Sequence, residues 1–248
     1  MSRVFNEVRY SLISFFRNGN RVFWSLLFPV LFMILFITLF GGQHLTGLKG
    51  VSYATFLLPG IIGVTIVSAS FGFTVTDCAK NRARGIFRKL ATTPISKIEW
   101  NASLILTRTI TTLLSVIVSL AVAWLLFQVS PHINVLTALL MLSGIVLFAG
   151  LGTLFAIFVR DEDAALPASN AVLFALMFVS GTFMPLATLP WYMRDISKLS
   201  PLTYLNNGLQ GAMVTNNFGD ASVNLLVVSV VAVVLFTLGV ALLRWKDD

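Results

Sequence analysis

The residues of this sequence that are best suited to binding chemistry lie in one polar segment, residues 77–100, between two long apolar stretches. The segment holds six of the seventeen basic residues of the chain. Within it, Ile86, Phe87 and Leu90 fall on one side of a helix, with arginine and lysine around them. An apolar face with a basic rim indicates a short amphipathic helix that docks a soluble partner. The six basic residues are Lys80, Arg82, Arg84, Arg88, Lys89 and Lys97.

Two local signals set the ends of this helix. Pro94 pushes the residue before it, Thr93, out of the helical region, so the helix is predicted to end there. Ser96 and Glu99 then form a capping box, in which each side chain satisfies a free backbone amide as the next helix begins. A short polar helix is therefore expected between two long apolar ones.

Other residue groups that could support catalysis or metal binding are better explained in other ways. Asp161, Glu162 and Asp163 are adjacent, but they open an apolar segment, where acids stabilise the amino terminus of a helix. Cys78 is the single cysteine and the two histidines lie in separate loops, so no metal site is predicted. No glycine is followed by lysine, so the sequence lacks a phosphate-binding loop. We expect a protein that is not an enzyme and binds no cofactor itself.

Composition indicates a lipid bilayer. Hydrophobic residues make up 57% of the 248 residues and charged residues only 11%, with a mean hydropathy of +0.89. Soluble domains carry about 25% charged residues, so a soluble chain of this composition could not cover its surface. A net charge of +7 would suggest nucleic acid in a soluble protein. Here the placement of the positive residues in short loops argues against a nucleic-acid partner.

At about twenty apolar residues per crossing, the sequence predicts an all-α integral membrane protein with six transmembrane helices in one domain, residues 1–248. The predicted spans are residues 22–40, 53–75, 102–127, 135–159, 164–184 and 222–243. An even number of spans places both termini on one side. If that side is the cytoplasm, fourteen basic residues lie inside and three outside. This excess predicts cytoplasmic termini and a plasma-membrane location.

Two further predictions concern the inner surface. Residues 1–21 repeat apolar side chains at helical spacing, so an amphipathic helix is expected in the inner leaflet with its basic residues toward anionic lipid. It either anchors the terminus or also grips a partner. Arg108 is the one ionisable residue drawn into an apolar segment, and it is expected to extend to the lipid headgroups.

A polar, proline-rich segment, residues 184–221, is expected outside, before the last span. Its aromatic residues suit the headgroup level, and two short helices are predicted at about residues 190–199 and 202–212. Irregular backbone at that depth is tolerated where it faces protein or a cavity, so the helices are expected to be re-entrant and to cap an exit. The candidate gate residues are Pro185, Pro190, Trp191, Ile196, Pro201 and Tyr204.

Four further segments complete a pattern that begins with the amphipathic amino terminus: YATFLLPGIIGV, RGIFRKLATTPIS, SGTFMPLATLPW and LSPLTYLNNGL. Together and in this order they resemble the permease subunits of type-2 ATP-binding-cassette exporters. The resemblance implies a homodimer, or a pair with a related permease, of six-span subunits. Each subunit would be served by a separate cytoplasmic ATPase that binds ATP and Mg, and the pair would move drugs, lipids or glycans outward.

In such exporters the loop between the second and third spans is a coupling helix that sits on the ATPase. The coupling positions that the resemblance implies are Arg84, Gly85, Ile86, Phe87, Arg88, Leu90, Thr93 and Pro94. Many members carry acidic residues here, whereas this segment is basic. That difference implies either a more acidic ATPase surface or anionic lipid around the loop.

The same resemblance implies that the second and fifth spans line the transport path. The second span presents small or polar side chains at helical spacing, and the fifth adds phenylalanine and methionine, which suit an amphipathic or apolar cargo. The candidate path residues are Thr65, Ser68, Gly72, Thr76, Asn170, Phe174, Met177 and Phe178. Small and hydroxyl side chains also let helices pack closely, and packing is the alternative explanation.

The sequence thus favours the permease subunit of an ATP-driven exporter, with ATP hydrolysed by a partner. One alternative is an ATP-independent channel or secondary carrier, although the predicted spans lack the acidic residues that ion coupling needs. Another is a membrane anchor that holds a soluble partner through the basic loop and transports nothing.

Overall fold

The computed structural model describes residues 2–41, 51–90, 92, 97–129, 131–159 and 161–242. The regular structure within these ranges is entirely helical. The helices are α1 (Ser2–Arg17), α2 (Gly19–Phe40), α3 (Tyr53–Ala83), α4 (Ile86–Leu90), α5 (Lys97–Phe127), α6 (Val135–Phe158), α7 (Glu162–Val179), α8 (Trp191–Ser197), α9 (Pro201–Met213) and α10 (Phe218–Leu242). Six of them, α2, α3, α5, α6, α7 and α10, are long and apolar enough to cross a bilayer, which confirms the predicted six-span, all-α fold.

The second span is longer than predicted. Helix α3 continues past Val75 to Ala83, because neither proline nor glycine interrupts residues 73–84. Gly85 then has a φ angle of +63°, which glycine adopts without steric cost, and the chain turns into α4. The extension places Asp77 inside a helix, where the sequence analysis expects it in a loop.

The fifth span is shorter than predicted. Helix α7 ends at Val179, and Gly181 follows with a φ angle of +72°. A left-handed residue cannot continue an α-helix, so the chain leaves the helix before Met184.

Helix α3 occupies the centre of the bundle. Over its apolar span 94% of the residues are buried, compared with 17% for α10. It is apolar on all sides, as expected of a helix surrounded by protein. Helices α2, α5, α6, α7 and α9 pack around α3.

Helices α6 and α10 form the most extensive helix pair, and small residues let their backbones approach. A Cβ atom added at Gly150 would lie 2.8 Å from the backbone nitrogen of Phe236. On the opposite helix, a Cβ at Gly239 would lie 3.4 Å from the carbonyl oxygen of Gly150. Glycine is therefore required at this crossing.

We predict that Gly150→Ala lowers stability by about 1–3 kcal/mol, because the added methyl group forces α6 and α10 apart. Thermal unfolding in a neutral detergent measures the change. Gly19→Ala is the matched control, since a Cβ at Gly19 meets no atom within 4 Å. An equal unfolding temperature for Gly150→Ala and wild type would show that the crossing tolerates a methyl group.

Candidate functional site

The segment that contains α4 is attached to the start of α7 and the end of α6. Arg82 donates to the carbonyl oxygens of Ala156 (2.9 Å) and Val159 (3.3 Å) and so satisfies free acceptors at the carboxyl end of α6. Arg84 donates to a carboxylate oxygen of Glu162 at 3.3 Å. The turn into α4 is thereby tied to the junction between α6 and α7.

The apolar side of α4 is buried against the chain itself. Phe87 is only 4% exposed, and its ring meets that of Trp100 edge to face with centroids 5.4 Å apart. Cys78, Leu104 and Ala156 belong to the same cluster. Phe87 is therefore packed against this chain, because α4 folds back onto the ends of its neighbouring helices, and its role as a coupling position stays a prediction.

Several predicted coupling positions lie outside the described part of the chain. Thr93 and Pro94 are among them, as are the side chains of Arg88 and Leu90 and the Ser96 side of the predicted capping box. Among the described side chains at this end, Arg84 and Lys89 are exposed and Ile86 is partly exposed. These three present the accessible surface of α4.

A buried ion-pair cluster lies just inside the same end of the bundle. The carboxylate of Asp77 on α3 accepts hydrogen bonds from Arg21 on α2 and from Arg108 on α5. Arg108 also donates to the carbonyl oxygen of Phe73 at 3.2 Å, and its guanidinium and that of Arg21 lie within 6 Å of the Phe73 ring centre. Three helices thus share one carboxylate.

This cluster corrects the expectation that Arg108 extends to lipid headgroups. Arg108 is 3% exposed, because the longer α3 brings Asp77 to its depth. With the second span predicted to end at Val75, Asp77 falls in a loop and no partner for Arg108 is predicted. The signal was present: no helix-breaking residue separates Val75 from Asp77.

The small and polar residues predicted to line a path along α3 are used in packing within this chain. Thr65 is fully buried and donates to the carbonyl oxygen of Ile61 (2.8 Å). Ser68 donates to the carbonyl oxygen of Trp24 (2.8 Å). Ser68 and Trp24 both lie in wide π-helical turns, Val67–Gly72 in α3 and Phe23–Leu27 in α2, so this bond joins two irregular turns.

The remaining two candidates on α3 are partly buried. Thr76 donates to the carbonyl oxygen of Phe73 (3.1 Å), and Gly72 lies near Ser169, at the distance of an ordinary contact for an added Cβ. Contact between any of the α3 residues and a cargo stays a prediction.

The candidate path residues on α7 are exposed to different degrees. Met177 is fully buried, and Phe174 packs its ring on Phe28 of α2 with centroids 5.8 Å apart. Asn170 is partly buried. Phe178 is 55% exposed and so presents an aromatic surface away from the bundle.

Two short helices lie at the other end of α3, as predicted. Pro190 precedes α8 and Pro201 begins α9, where its missing amide costs no hydrogen bond. Pro185 precedes a short turn, Leu186–Thr188. Tyr204 in α9 donates to the carbonyl oxygen of Lys198 (2.8 Å) and holds the two helices together.

The two helices differ sharply in burial. In α8 the side chains of Trp191 and Ile196 are 72% and 51% exposed. Helix α9 packs against α3, α6 and α10, and a Cβ added at Gly63 of α3 would lie 2.1 Å from the side-chain oxygen of Asn206. Asn206 also donates to Thr182 (3.0 Å). Helix α9 is therefore seated in the bundle, with α8 exposed beside it.

A cavity of about 590 Å³ lies beside α9 at this end. Its walls combine the apolar Phe56 and Leu186 with the amide side chains of Asn207 and Gln210. Such a mixed lining suits an amphipathic molecule.

The adjacent acids at the start of α7 act as a helix cap. The side chain of Asp161 accepts from the backbone amide of Asp163 (3.1 Å), which confirms the predicted stabilisation of the amino terminus. Within the described ranges, no three His, Cys, Asp or Glu side chains are grouped so that they could hold a metal ion.

Comparison with known proteins agrees with this architecture. The ABC-2 type transporter family matches residues 4–214. The chain is 24% identical over 185 residues to the inner membrane transport permease YadH of Escherichia coli K12, covering 73% of this chain and 72% of the relative. The YadH proteins of Escherichia coli O157:H7 and Shigella flexneri show the same identity and coverage. Because the family match covers most of the 248 residues, this protein belongs to the ABC-2 type transporter family of membrane permeases.

Proposed function

We propose that this chain is the permease subunit of an ATP-driven exporter, working as a homodimer or beside a related permease. A separate cytoplasmic ABC ATPase would bind Mg and hydrolyse ATP. The family match, the relatives named as transport permeases and the lack of a phosphate-binding loop in the sequence support this division of labour. The cargo would be amphipathic or apolar, since the candidate path residues of α7 are largely phenylalanine and methionine.

The proposed orientation places α1, α4 and both termini in the cytoplasm, with α8 and α9 outside the plasma membrane. The excess of basic residues at the α1 end supports this orientation. The ends of α3 are consistent with it, because Tyr53 at the start of the helix donates to Phe183 near α8, whereas Ala83 at its end leads into α4.

The observation that carries the proposal is the attachment of α4 to the spans. Phe87 packs α4 itself on Trp100 of α5, and Arg82 and Arg84 bond the residues that lead into α4 to the α6–α7 junction. A displacement of α4 is therefore coupled to these spans, because packed cores move as units rather than deforming continuously. A push from an ATPase on α4 would therefore move the inner ends of α5, α6 and α7.

The docking surface would consist of the side of α4 that remains accessible. Arg84 and Lys89 are exposed there and Ile86 is partly exposed. Two cations at the rim favour an acidic groove on the ATPase, and they would speed association more than they strengthen it. Phe87 would contribute indirectly, by keeping α4 in position.

The alternatives remain distinguishable. An ATP-independent channel or carrier would move the cargo without an ATPase, and an anchor would bind the soluble partner without moving anything. Purification of the chain with its ATPase, followed by ATP-driven dye uptake into inside-out vesicles, separates the three functions.

We predict that Lys89→Glu weakens ATPase co-purification and ATP-driven uptake of a fluorescent amphipathic dye, and more strongly at low salt, because the charge reversal opposes an acidic groove. The permease itself should unfold at the wild-type temperature, since Lys89 is exposed. Lys198→Glu, an exposed lysine at the opposite end, is the matched control. Wild-type ATPase binding by Lys89→Glu would place the docking surface elsewhere.

For Phe87→Ala, the expected first effect is a loss of stability of about 3 kcal/mol, because the substitution leaves a cavity beside Trp100. Loss of ATPase association should follow from the displaced α4. Thermal unfolding and co-purification are measured together. A variant that binds the ATPase poorly but unfolds like wild type would mean that Phe87 contacts the ATPase directly.

The proposed outer gate predicts that Trp191→Asp reduces dye uptake into inside-out vesicles severalfold while ATPase co-purification is unchanged, because a charge would disturb an exposed aromatic cap over the exit. Leu199→Asp is the control, since Leu199 lies just after α8, is 85% exposed and is not a gate candidate. Equal uptake by Trp191→Asp and wild type would leave α8 as a surface anchor without a gating role.

A further inference from the structure

A cleft of about 220 Å³ lies where α1, α3 and α5 meet. Three cationic side chains line it, Arg21, Lys80 and Arg108, together with one carboxylate, Asp77. Both oxygens of that carboxylate already accept hydrogen bonds from the two arginines. Among the described lining residues, one carboxylate therefore faces three cations.

The lining also offers hydrogen-bond donors that are not engaged. Tyr10, Ser14, Lys80 and Asn81 make no side-chain hydrogen bond or ion pair with any other described residue. Arg108 is 3% exposed, yet its Nε has no partner among the described residues. Tyr10 and Ser14 are exposed and Lys80 and Asn81 are partly exposed, so Arg108 Nε is the buried donor of this set. A buried donor is costly unless a ligand or water satisfies it.

We propose that this cleft binds a phosphate group. A phosphate offers several acceptor oxygens and negative charge, which the free donors and the unbalanced cations require. A cation would be repelled, and a neutral polar ligand would leave the charge unbalanced. Glu162 lies in the adjoining recess with Arg21 and Lys80, but it is already hydrogen-bonded to Arg84 at 3.3 Å.

The surroundings of the cleft favour a phospholipid as the source of the phosphate. On α1, the exposed Tyr10 lines the cleft, and Ile13, which is 44% exposed, lines an adjoining recess with Tyr10 and Ser14. Exposed Arg9 and Arg17 lie on the same helix. Apolar side chains next to basic ones suit acyl chains and an anionic headgroup.

A bound headgroup would join three helices that otherwise meet across the cleft. It would accept hydrogen bonds from Lys80 and Arg108 and lie next to Tyr10 of α1, since all three line the cleft. The lipid source rests on the proposed position of α1 at the membrane surface, whereas the phosphate chemistry depends on neither transport nor the ATPase.

The experiment uses the full chain, purified without an ATPase and stripped of lipid in a neutral detergent. Phosphatidylglycerol, diacylglycerol and inorganic phosphate are added separately, and the unfolding temperature and the number of bound lipids by native mass spectrometry are recorded. We expect saturable stabilisation by one phosphatidylglycerol per chain and competition by inorganic phosphate. Lys80→Gln should weaken this binding about tenfold, as expected for a lost charged hydrogen bond.

Lys198→Gln is the matched control, because it removes the same charge from an exposed position at the opposite end of the bundle, outside the cleft. Asn81→Ala is a second cleft variant, so a folding defect in one variant does not decide the result. Stabilisation by inorganic phosphate without lipid binding would identify a soluble phosphate as the source. Equal stabilisation by diacylglycerol, or equal weakening by Lys80→Gln and Lys198→Gln, would overturn the phosphate site. Because no ATPase is present, either result is independent of the proposed transport function.

Discussion

The carboxylate of Asp77 is the interaction on which the α1 end of the bundle depends. The side chain of Asp77 is 24% exposed, whereas that of Arg108 is 4% exposed, and a buried charge that loses its partner is strongly disfavoured. Because arginines from two other helices share this carboxylate, a displacement of α2, α3 or α5 would separate these charges. The pair adds little to stability beyond what apolar packing would supply, but it fixes the register of three spans.

The central helix, α3, connects the Asp77 cluster to the opposite end of the protein. Helix α3 is surrounded by protein along its apolar span. At its start, Tyr53 and Gly63 hold the loop after α7 and the buried helix α9. At its end, Arg82 caps α6. Under the proposed function, a rigid element bonded to its surroundings at both ends would let ATP hydrolysis on one side open a path on the other.

Helix α4 would form the proposed docking surface from a small number of residues. Helix α4 has an apolar side and a basic side, as its sequence indicates. The apolar side is buried within the permease itself, where Phe87 packs against Trp100. What remains for a partner is charge and a partly exposed isoleucine. Such a surface associates quickly and releases readily, which suits a contact that must be remade in every cycle of hydrolysis.

Composition and apolar run length determined the class of this protein, because every segment that crosses a bilayer must be apolar and must bond its own backbone. They were enough to predict the six spans, the two short helices before the last span and the acidic cap of α7. Local chemistry also placed a short helix at residues 86–90, since proline and glycine act on their immediate neighbours.

Only the tertiary structure decided which side of each helix is covered. Helical periodicity predicts that Phe87 packs against apolar residues, but it does not show whether those residues belong to this chain or to a partner. In the structure they include Trp100 of this chain. Arg108 has the pattern of a residue that reaches the headgroups, yet a carboxylate distant in sequence holds it inside. The spacing of Ser68 is that of a path residue, yet its hydroxyl donates a hydrogen bond to a backbone carbonyl group of α2. These contacts join residues far apart in the chain, and their energy depends on distances that only the packed helices define.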